Sequence, residues 1–266
     1  MSRIFIALAL ACALAWPAYA DVTIRTVSRG PLGGDAPSVS YIKGTKMRTD
    51  VTISGITRSM IIDASTRQMI VLDPAAKEAT VYDVSRMADQ MQKEAGAGVQ
   101  GAKVSMTPNG QTKELLGRTC TGYDLSITVP LSMGANTMTL NIGGPVWIAK
   151  DAPGTSDFAT FYKAASENGL FFATPAGRGG PAGRGGPAGI NERGMALMYR
   201  ALADAGGIPF EQEITVKTDT TGPGAEMMRR AGPGTMTATT SVTSISTDLI
   251  PADKFEIPAG YSRKNQ

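Results

Sequence analysis

The side chains that most often perform acid–base and nucleophilic catalysis are sparse in this sequence. Its 266 residues include no histidine and two cysteines, Cys12 and Cys120. Without histidine the chain cannot build a Ser-His-Asp or Cys-His catalytic group, nor a zinc, haem or copper site that uses histidine ligands. Two thiols are also too few for a cysteine-only zinc or iron–sulfur site. Carboxylates are therefore the main catalytic option that remains.

Two facing carboxylates could hydrolyse a glycosidic bond. Most candidates stand at predicted strand ends and turns: Asp63, Asp73, Asp83, Asp151 and Asp253. An Asp side chain commonly bonds backbone groups within a turn, so a structural role is the stronger interpretation for each, and a carboxylate hydrolase ranks third among our hypotheses. The sequence has no G-x-S-x-G elbow, phosphate-binding loop or dinucleotide fingerprint, and no calcium loop. We predict a protein that is not an enzyme, with no catalytic residue, cofactor or metal.

The first 20 residues have the pattern of a secretory signal peptide. A short basic start precedes an apolar run, Ile4–Trp16, and small residues then lead to Asp21. We expect cleavage between Ala20 and Asp21 and a periplasmic or secreted protein. The alternative is a lipoprotein anchored through Cys12. No membrane span is expected, because the run of 13 residues is shorter than the roughly 20 that a spanning helix needs.

Charge and cysteine content restrict the partners. The chain has 26 basic and 23 acidic residues, and removing the leader takes away Arg3. This near-balance predicts no nucleic acid partner. Cys120 would then be the one remaining thiol, unable to form an internal disulfide, and we interpret it as a buried structural thiol. Arg118 nearby could lower its pKa, but no base accompanies it.

Alternating apolar and polar residues predict that most of the chain forms β-strands. The alternation covers residues 47–54, 123–129, 138–142, 213–217 and 236–242. Successive side chains of a strand point to opposite faces, so each of these segments has one buried and one solvated face. Two denser apolar runs and their short connecting turns suggest a meander. The pattern predicts an antiparallel sheet that is covered on one side.

Three segments have the apolar spacing of helices, at residues 86–95, 157–166 and 192–205. Ser156 is the predicted N-cap of the second, and Asn168-Gly169 its end. Each apolar stripe is wide enough to pack on a sheet. Core packing is the simpler interpretation, but the methionines among these residues would also suit an adaptable apolar pocket.

A Gly/Arg/Pro-rich tract separates the last two helical segments. The hexapeptide G-R-G-G-P-A at 177–182 is repeated at 183–188. Without large apolar side chains the tract cannot bury enough surface to offset its ordering entropy. We predict a flexible insertion at 174–190. Arg/Gly tracts can bind RNA, but this one is short and would be exported.

Several motifs, taken in order, resemble an exported bacterial family. They are Y-I-K-G-T-K-M-R-T-D at 41–50, I-D at 62–63, I-V-L-D at 70–73, G-R-T-C-T-G-Y at 117–123, V-W-I-A-K at 146–150 and F-E-I-P-A-G-Y at 255–261. Their order resembles domain-of-unknown-function family 4412, which is similar in fold to the lipoprotein carriers LolA and LolB. The resemblance spans roughly residues 22–262 and brings no catalytic residues.

The resemblance implies an α+β fold class. A strongly curved antiparallel β-sheet, an incomplete LolA-like barrel, would wrap around about three helices. Residues 21–266 would form a single domain of this kind, with the Gly/Arg/Pro-rich tract as an insertion. The strand alternation and the three helical stripes agree with that architecture.

The leading functional hypothesis is an exported protein that binds a lipid, acyl chain or lipidated peptide in an apolar pocket of roughly 300–1,000 Å³. The expected partner is a hydrophobic ligand or a lipoprotein. The residues expected to line the pocket are Trp147, Phe158, Phe161, Tyr162, Met195, Met198 and Leu202. For Trp147 a role as a core anchor is the simpler interpretation. The alternative function is a structural or protein-interaction module of the cell envelope, with a filled core, that uses an edge strand or the Gly/Arg loop.

Overall fold

The computed structural model describes residues 21–30, 34–85, 103–133, 136–168, 170, 198, 200–223, 225–226 and 235–266. The elements in chain order are β1 (Val22–Arg29), β2 (Asp35–Lys43), β3 (Lys46–Ile53), β4 (Ile56–Asp63), β5 (Gln68–Asp73), β6 (Glu78–Asp83), β7 (Lys103–Leu115), β8 (Arg118–Met133), β9 (Asn136–Ala149), α1 (Thr155–Glu167), β10 (Ile208–Thr221), β11 (Thr235–Ser246), the 3-10 helix η1 (Ala252–Phe255) and β12 (Ser262–Asn265).

The twelve strands of the described residues belong to one sheet, in the order β12-β6-β5-β4-β3-β2-β1-β11-β10-β9-β8-β7. Sequential strands pair antiparallel from β1 to β6 and from β7 to β11. The two runs meet where β1 pairs with β11. β12 differs, because it runs parallel to β6 at the edge. The predicted antiparallel sheet is confirmed.

The predicted α+β fold class with about three helices is wrong. The sheet dominates, and α1 is the one long helix in the part of the chain that the structure describes. The helix predicted at 86–95 lies outside the described residues, and of the one predicted at 192–205 only residues 198 and 200–204 are described as helical. Strands β2 and β7 escaped prediction because Ser, Thr, Pro and Asn-Gly hide their alternation and resemble turns.

Helix α1 replaces the predicted 157–166 segment and begins slightly earlier. Its N-cap is Gly154, with φ +79°, and not Ser156. A Cβ at Gly154 would lie 2.5 Å from Cγ2 of Val22, so glycine lets the start of the helix approach β1. The helix ends at Asn168 as predicted, where the side-chain amide donates to the carbonyl of Ala164 at 2.9 Å.

The main core lies on the helix face, which is the side of the sheet that packs against α1. Its buried residues include Val22, Ile24, Ile42, Met47, Ile62 and Met69 of the sheet, and Phe158, Phe161 and Ala165 of α1. Complete burial of one such large apolar side chain stabilises the fold by about 1.5–3 kcal/mol. A second cluster on β8 and β9 packs against Leu202.

The opposite, outer face of β4–β6 is covered by the C-terminal segment, residues 249–261. Ile61, Leu72 and Ala79 pack there against Ile250 and Phe255. Adjacent residues of β4, Ile61 and Ile62, thus enter different cores. These strands are covered on both faces, whereas the sequence predicted cover on one side only.

Candidate ligand-binding cavity

A cavity of about 140 Å³ lies between the helix face and α1. Its sheet wall contains the apolar residues Ile24, Ile42, Ile208, Pro209 and Val242 and the polar residues Thr26, Ser40, Gln212 and Thr240. A cavity of about 150 Å³ can hold a benzene ring, so this one accepts a group of that size. Its volume is less than half of the roughly 300 Å³ at which common ligand pockets begin.

Four of the seven predicted pocket residues line the helical wall of this cavity: Phe158, Tyr162, Met198 and Leu202. Residues four apart on a helix lie on one side, and the ring centres of Phe158 and Tyr162 are 4.2 Å apart. Met195 lies outside the described residues. Helical spacing in the sequence had grouped these four residues on apolar stripes.

Phe161 and Trp147 do not line the cavity. Phe161 is 0% exposed, and its ring meets that of Tyr162 edge-on at 5.3 Å. Trp147 packs close to Gly122, where a Cβ would come within 3.0 Å of the indole. The ammonium of Lys113 lies 5.6 Å from the centre of the Trp147 ring. Both aromatic residues have packing roles.

Sequence reasoning missed the polar wall. Each of its three hydroxyls bonds a hydroxyl on a neighbouring strand: Thr26 with Ser38 at 2.6 Å, Ser40 with Thr49 at 3.2 Å, and Thr240 with Ser28 at 2.9 Å. These six half-buried residues form a hydroxyl strip across β11, β1, β2 and β3. The available signal was Ser38 and Ser40, two positions apart in β2, and the Thr/Ser-rich sequence of β11, a composition that is equally typical of a solvated face.

The cavity is electrically neutral, since no charged side chain lines it among the described residues. The charges on the same strands occupy the alternate positions and so point to the other face. Arg25 adjoins Thr26 and is exposed. Glu211 and Glu213 flank Gln212, and Glu211 pairs with Lys113 at 2.5 Å.

The motif at 41–50 contacts the C-terminal segment on the outer face. The ammonium of Lys43 donates to the carbonyl of Ile250 at 2.8 Å and pairs with Asp21 at 2.9 Å. The guanidinium of Arg48 donates to the carbonyl of Lys254 at 3.2 Å. Both cations therefore attach the C-terminal segment to the sheet, and neither reaches the cavity.

Asp157 is a buried carboxylate at the start of α1, with 1% of its surface exposed. One oxygen accepts from the Ser156 hydroxyl at 3.2 Å, while Oδ1 has no hydrogen-bond partner in the described part of the chain. Burial and the nearby charge of Asp21 raise the pKa of Asp157, although the Ser156 hydrogen bond opposes the shift. The residue does not line the cavity.

Three of the five acids considered as catalytic candidates have turn-forming roles. Asp63, Asp73 and Asp83 each accept backbone N–H groups from residues two or three positions later. Burial would raise the pKa of Asp63, but hydrogen bonds from Ser65 and Thr66 hold it below its ordinary value. Among the described residues no group of three or more His, Cys, Asp or Glu side chains could hold a metal ion.

Cys120 is buried and free. Burial raises the pKa of its thiol, and the carboxylates of Glu114 and Asp151 raise it further. The charge of Lys113 opposes the shift but does not cancel it, and the guanidinium of Arg118 donates to the backbone carbonyl of Asp151 at 2.8 Å. A raised pKa favours the protonated, less nucleophilic thiol. The predicted burial of Cys120 is confirmed, and its structural role stays a prediction.

No protein-family model and no curated protein matches the chain. Among solved structures the chain is similar to one described as "Structure of PNGF-II in C2 space group", with a TM-score of 0.36 and 12% identity. The match covers 92% of this chain and 31% of that one. A likeness at this level carries no argument about function. None of the described helices is long and apolar enough to span a membrane.

Proposed function

We propose that this protein is an exported, non-enzymatic binding protein that holds the apolar end of a lipid, acyl chain or lipidated peptide. The observation behind the proposal is the cavity of about 140 Å³ between the sheet and α1. Apolar side chains from both sides form most of its walls, and a few polar groups converge on one wall. That combination is typical of small-molecule sites.

The cavity volume limits how much of a ligand can enter. A group the size of a benzene ring corresponds to about six carbons, and burial of each contributes about 0.8 kcal/mol. The gross gain is then about 5 kcal/mol, from which association costs must be subtracted. A dissociation constant of about 1 mM corresponds to roughly 4 kcal/mol. A tighter ligand would need contacts outside the cavity.

Native mass spectrometry of the protein from its own host tests this proposal. We expect an additional mass that organic solvent removes, and NMR-detected binding of short acyl compounds to the stripped protein. The substitution Val242→Phe should fill the cavity and abolish both, because overpacking leaves no space for a ligand. Ile53→Phe is the matched control, since Ile53 is 45% exposed and does not line the cavity. A ligand-free mass with no binding of acyl compounds would refute the proposal.

Export is the second part of the proposal, and its support is the leader pattern before Asp21. The intact mass of the secreted or periplasmic protein should correspond to a chain that begins at Asp21. A lipid-modified Cys12, or retention of the leader in the folded protein, would contradict this cleavage site.

A structural or protein-interaction module is the second candidate, favoured by the small cavity and by β7. This strand of 13 residues pairs with β8 at the edge of the described sheet, and an edge can accept a partner strand. If this second function is correct, the Val242→Phe variant should still capture the same envelope proteins in a pull-down as the wild type. If deletion of residues 177–189 leaves the captured partners unchanged, β7 is favoured over the Gly/Arg loop.

A further inference from the structure

The walls of the cavity change from apolar to polar along the β1–β2 hairpin. The cross-strand pairs on the helix face are Val22–Ile42, Ile24–Ser40, Thr26–Ser38 and Ser28–Ala36. The cavity extends over the first three pairs, since Ile42, Ile24, Ser40 and Thr26 line it. A ligand in the cavity therefore meets hydrocarbon at one side and hydroxyl groups at the other.

The polar side of the cavity offers hydrogen bonds without charge. Thr26, Ser40 and Thr240 each hold one hydroxyl partner in the strip. A hydroxyl can donate one hydrogen bond and accept two, so each keeps capacity for a ligand oxygen. Gln212 adds an amide to the same wall.

An ionised ligand group meets no counter-charge among the described residues that line the cavity. The flanking charges Arg25, Glu211 and Glu213 alternate with the lining residues and point to the opposite face. Burying a charge without a partner is far more costly than burying a hydrogen-bonded neutral group. The wall therefore discriminates by charge as well as by size.

We propose that the cavity selects an uncharged amphiphile. Its apolar end, about the size of a benzene ring, contacts Ile24, Ile42 and Phe158, and a neutral oxygen, such as that of an ester, amide or alcohol, bonds the hydroxyl strip. This inference rests on the proposed function and specifies its ligand. Ester- or amide-linked acyl groups fit it, whereas free fatty acids and amines do not.

Four ring compounds of similar size separate charge from shape: toluene, benzyl alcohol, benzoate and benzylammonium. Their affinities for the purified protein would be measured by NMR titration at pH 7. We expect benzyl alcohol to bind at least about tenfold more tightly than either ion, in line with the cost of an unpaired buried charge. Toluene should bind more weakly than benzyl alcohol.

Substitutions in the strip test the hydrogen bond itself. Thr240→Val keeps the shape of the side chain and removes its hydroxyl. It should weaken the binding of benzyl alcohol by about two- to tenfold, the usual net range for one hydrogen bond, and leave the binding of toluene unchanged. Thr215→Val is the matched control, because its hydroxyl bonds Thr237 at 3.0 Å and does not line the cavity. If Thr240→Val does not fold, Ser40→Ala serves the same purpose, and the ligand series needs no variant.

The outcomes separate this inference from the function on which it rests. Equal binding of benzoate and benzyl alcohol would overturn the inference and leave the proposed function intact. Toluene as the tightest ligand, with no effect of Thr240→Val, would also overturn it, because the site would then be purely apolar. If none of the four binds and the native mass is ligand-free, the proposed function fails as well.

Discussion

The two ends of the β1–β2 hairpin are both closed by an ion pair, but in different surroundings. At the end beside α1, Val22 and Ile42 are fully buried, and the pair joins Lys43 to an Asp21 side chain that is 4% exposed. At the far end, Arg29 pairs with Asp35, and their side chains are 65% and 55% exposed. We infer that the end beside α1, called the helix end below, stabilises the fold.

The far end of the hairpin, by contrast, contributes little to the stability of the fold. Its hydroxyl groups cost little to hold at a half-buried surface and remain able to bond a ligand. The cavity lies where the two environments meet, between the fixed apolar core and the hydroxyl strip. If this division is correct, substitutions at the helix end should reduce stability, and substitutions at the far end should not.

The largest effect is expected from Phe161→Ala. Phe161 has 0% exposure, so removal of its ring should lower the free energy of unfolding by about 3–5 kcal/mol. Urea unfolding monitored by circular dichroism would measure the change. The control Ile53→Ala, at an exposed turn, should change stability by less than about 0.5 kcal/mol. Similar losses in both variants would contradict the assignment of Phe161 to the core that also buries Val22 and Ile42.

Lys43→Met should give the next largest loss. It removes the cation that faces the buried Asp21 carboxylate and also a hydrogen bond to the carbonyl of Ile250. Breaking a fully buried pair costs about 3–5 kcal/mol, and because Lys43 is 35% exposed solvent screening reduces the expected loss to about 2 kcal/mol.

A double variant shows whether the unpaired charge causes this loss. Adding Asp21→Asn removes the carboxylate that Lys43→Met leaves without its cation. The double variant should therefore recover part of the stability, a non-additive result that is typical of contacting residues. If the loss of stability in the double variant equals the sum of the losses in Lys43→Met and Asp21→Asn, the two side chains do not interact energetically.

Asp157→Asn should have a smaller effect, and one that depends on pH. Since the pKa of Asp157 is raised in the folded protein, ionisation destabilises the fold, and this penalty is absent at low pH and complete above the raised pKa. The variant should therefore gain about 1 kcal/mol over the wild type at pH 7, the lower range for an unsatisfied buried group, and little near pH 4. Urea unfolding at both values would measure it; an advantage that grows toward low pH would contradict the sign.

The sequence could predict several of the elements but not what covers them. Period-two alternation identified strands such as β8 and β9, and helical spacing identified α1 with its end at Asn168. It could not identify β7, because Pro and Asn-Gly resemble a turn. Nor could it find the outer cover, because alternation tells which residues share a face and not which segment packs on it. The pairing of β1 with β11 joins residues more than 200 positions apart, which no local pattern contains.

The same limitation explains why the sheet wall, nine of the thirteen residues that line the cavity, was missed. Aromatic residues spaced four apart, such as Phe158 and Tyr162, predict an apolar helix face in any sequence context. Thr26 and Ser40 have the same appearance on a solvated strand face as on a cavity wall. Only the arrangement of β11, β1 and β2 around α1 distinguishes the two cases, and that arrangement depends on contacts between distant parts of the chain.

The smallest effect is expected at the far end of the hairpin, from Arg29→Met. The hydrogen bond from Arg29 holds the pKa of Asp35 below its ordinary value, so the pair favours folding above that range and loses its effect as pH falls through it. Both groups are exposed, however, and water and salt screen the attraction. We expect unfolding curves at pH 7 that match the wild type, with and without added salt. A loss as large as that of Lys43→Met would mean that the far end stabilises the fold too, and the hydroxyl strip would then be part of the structural core.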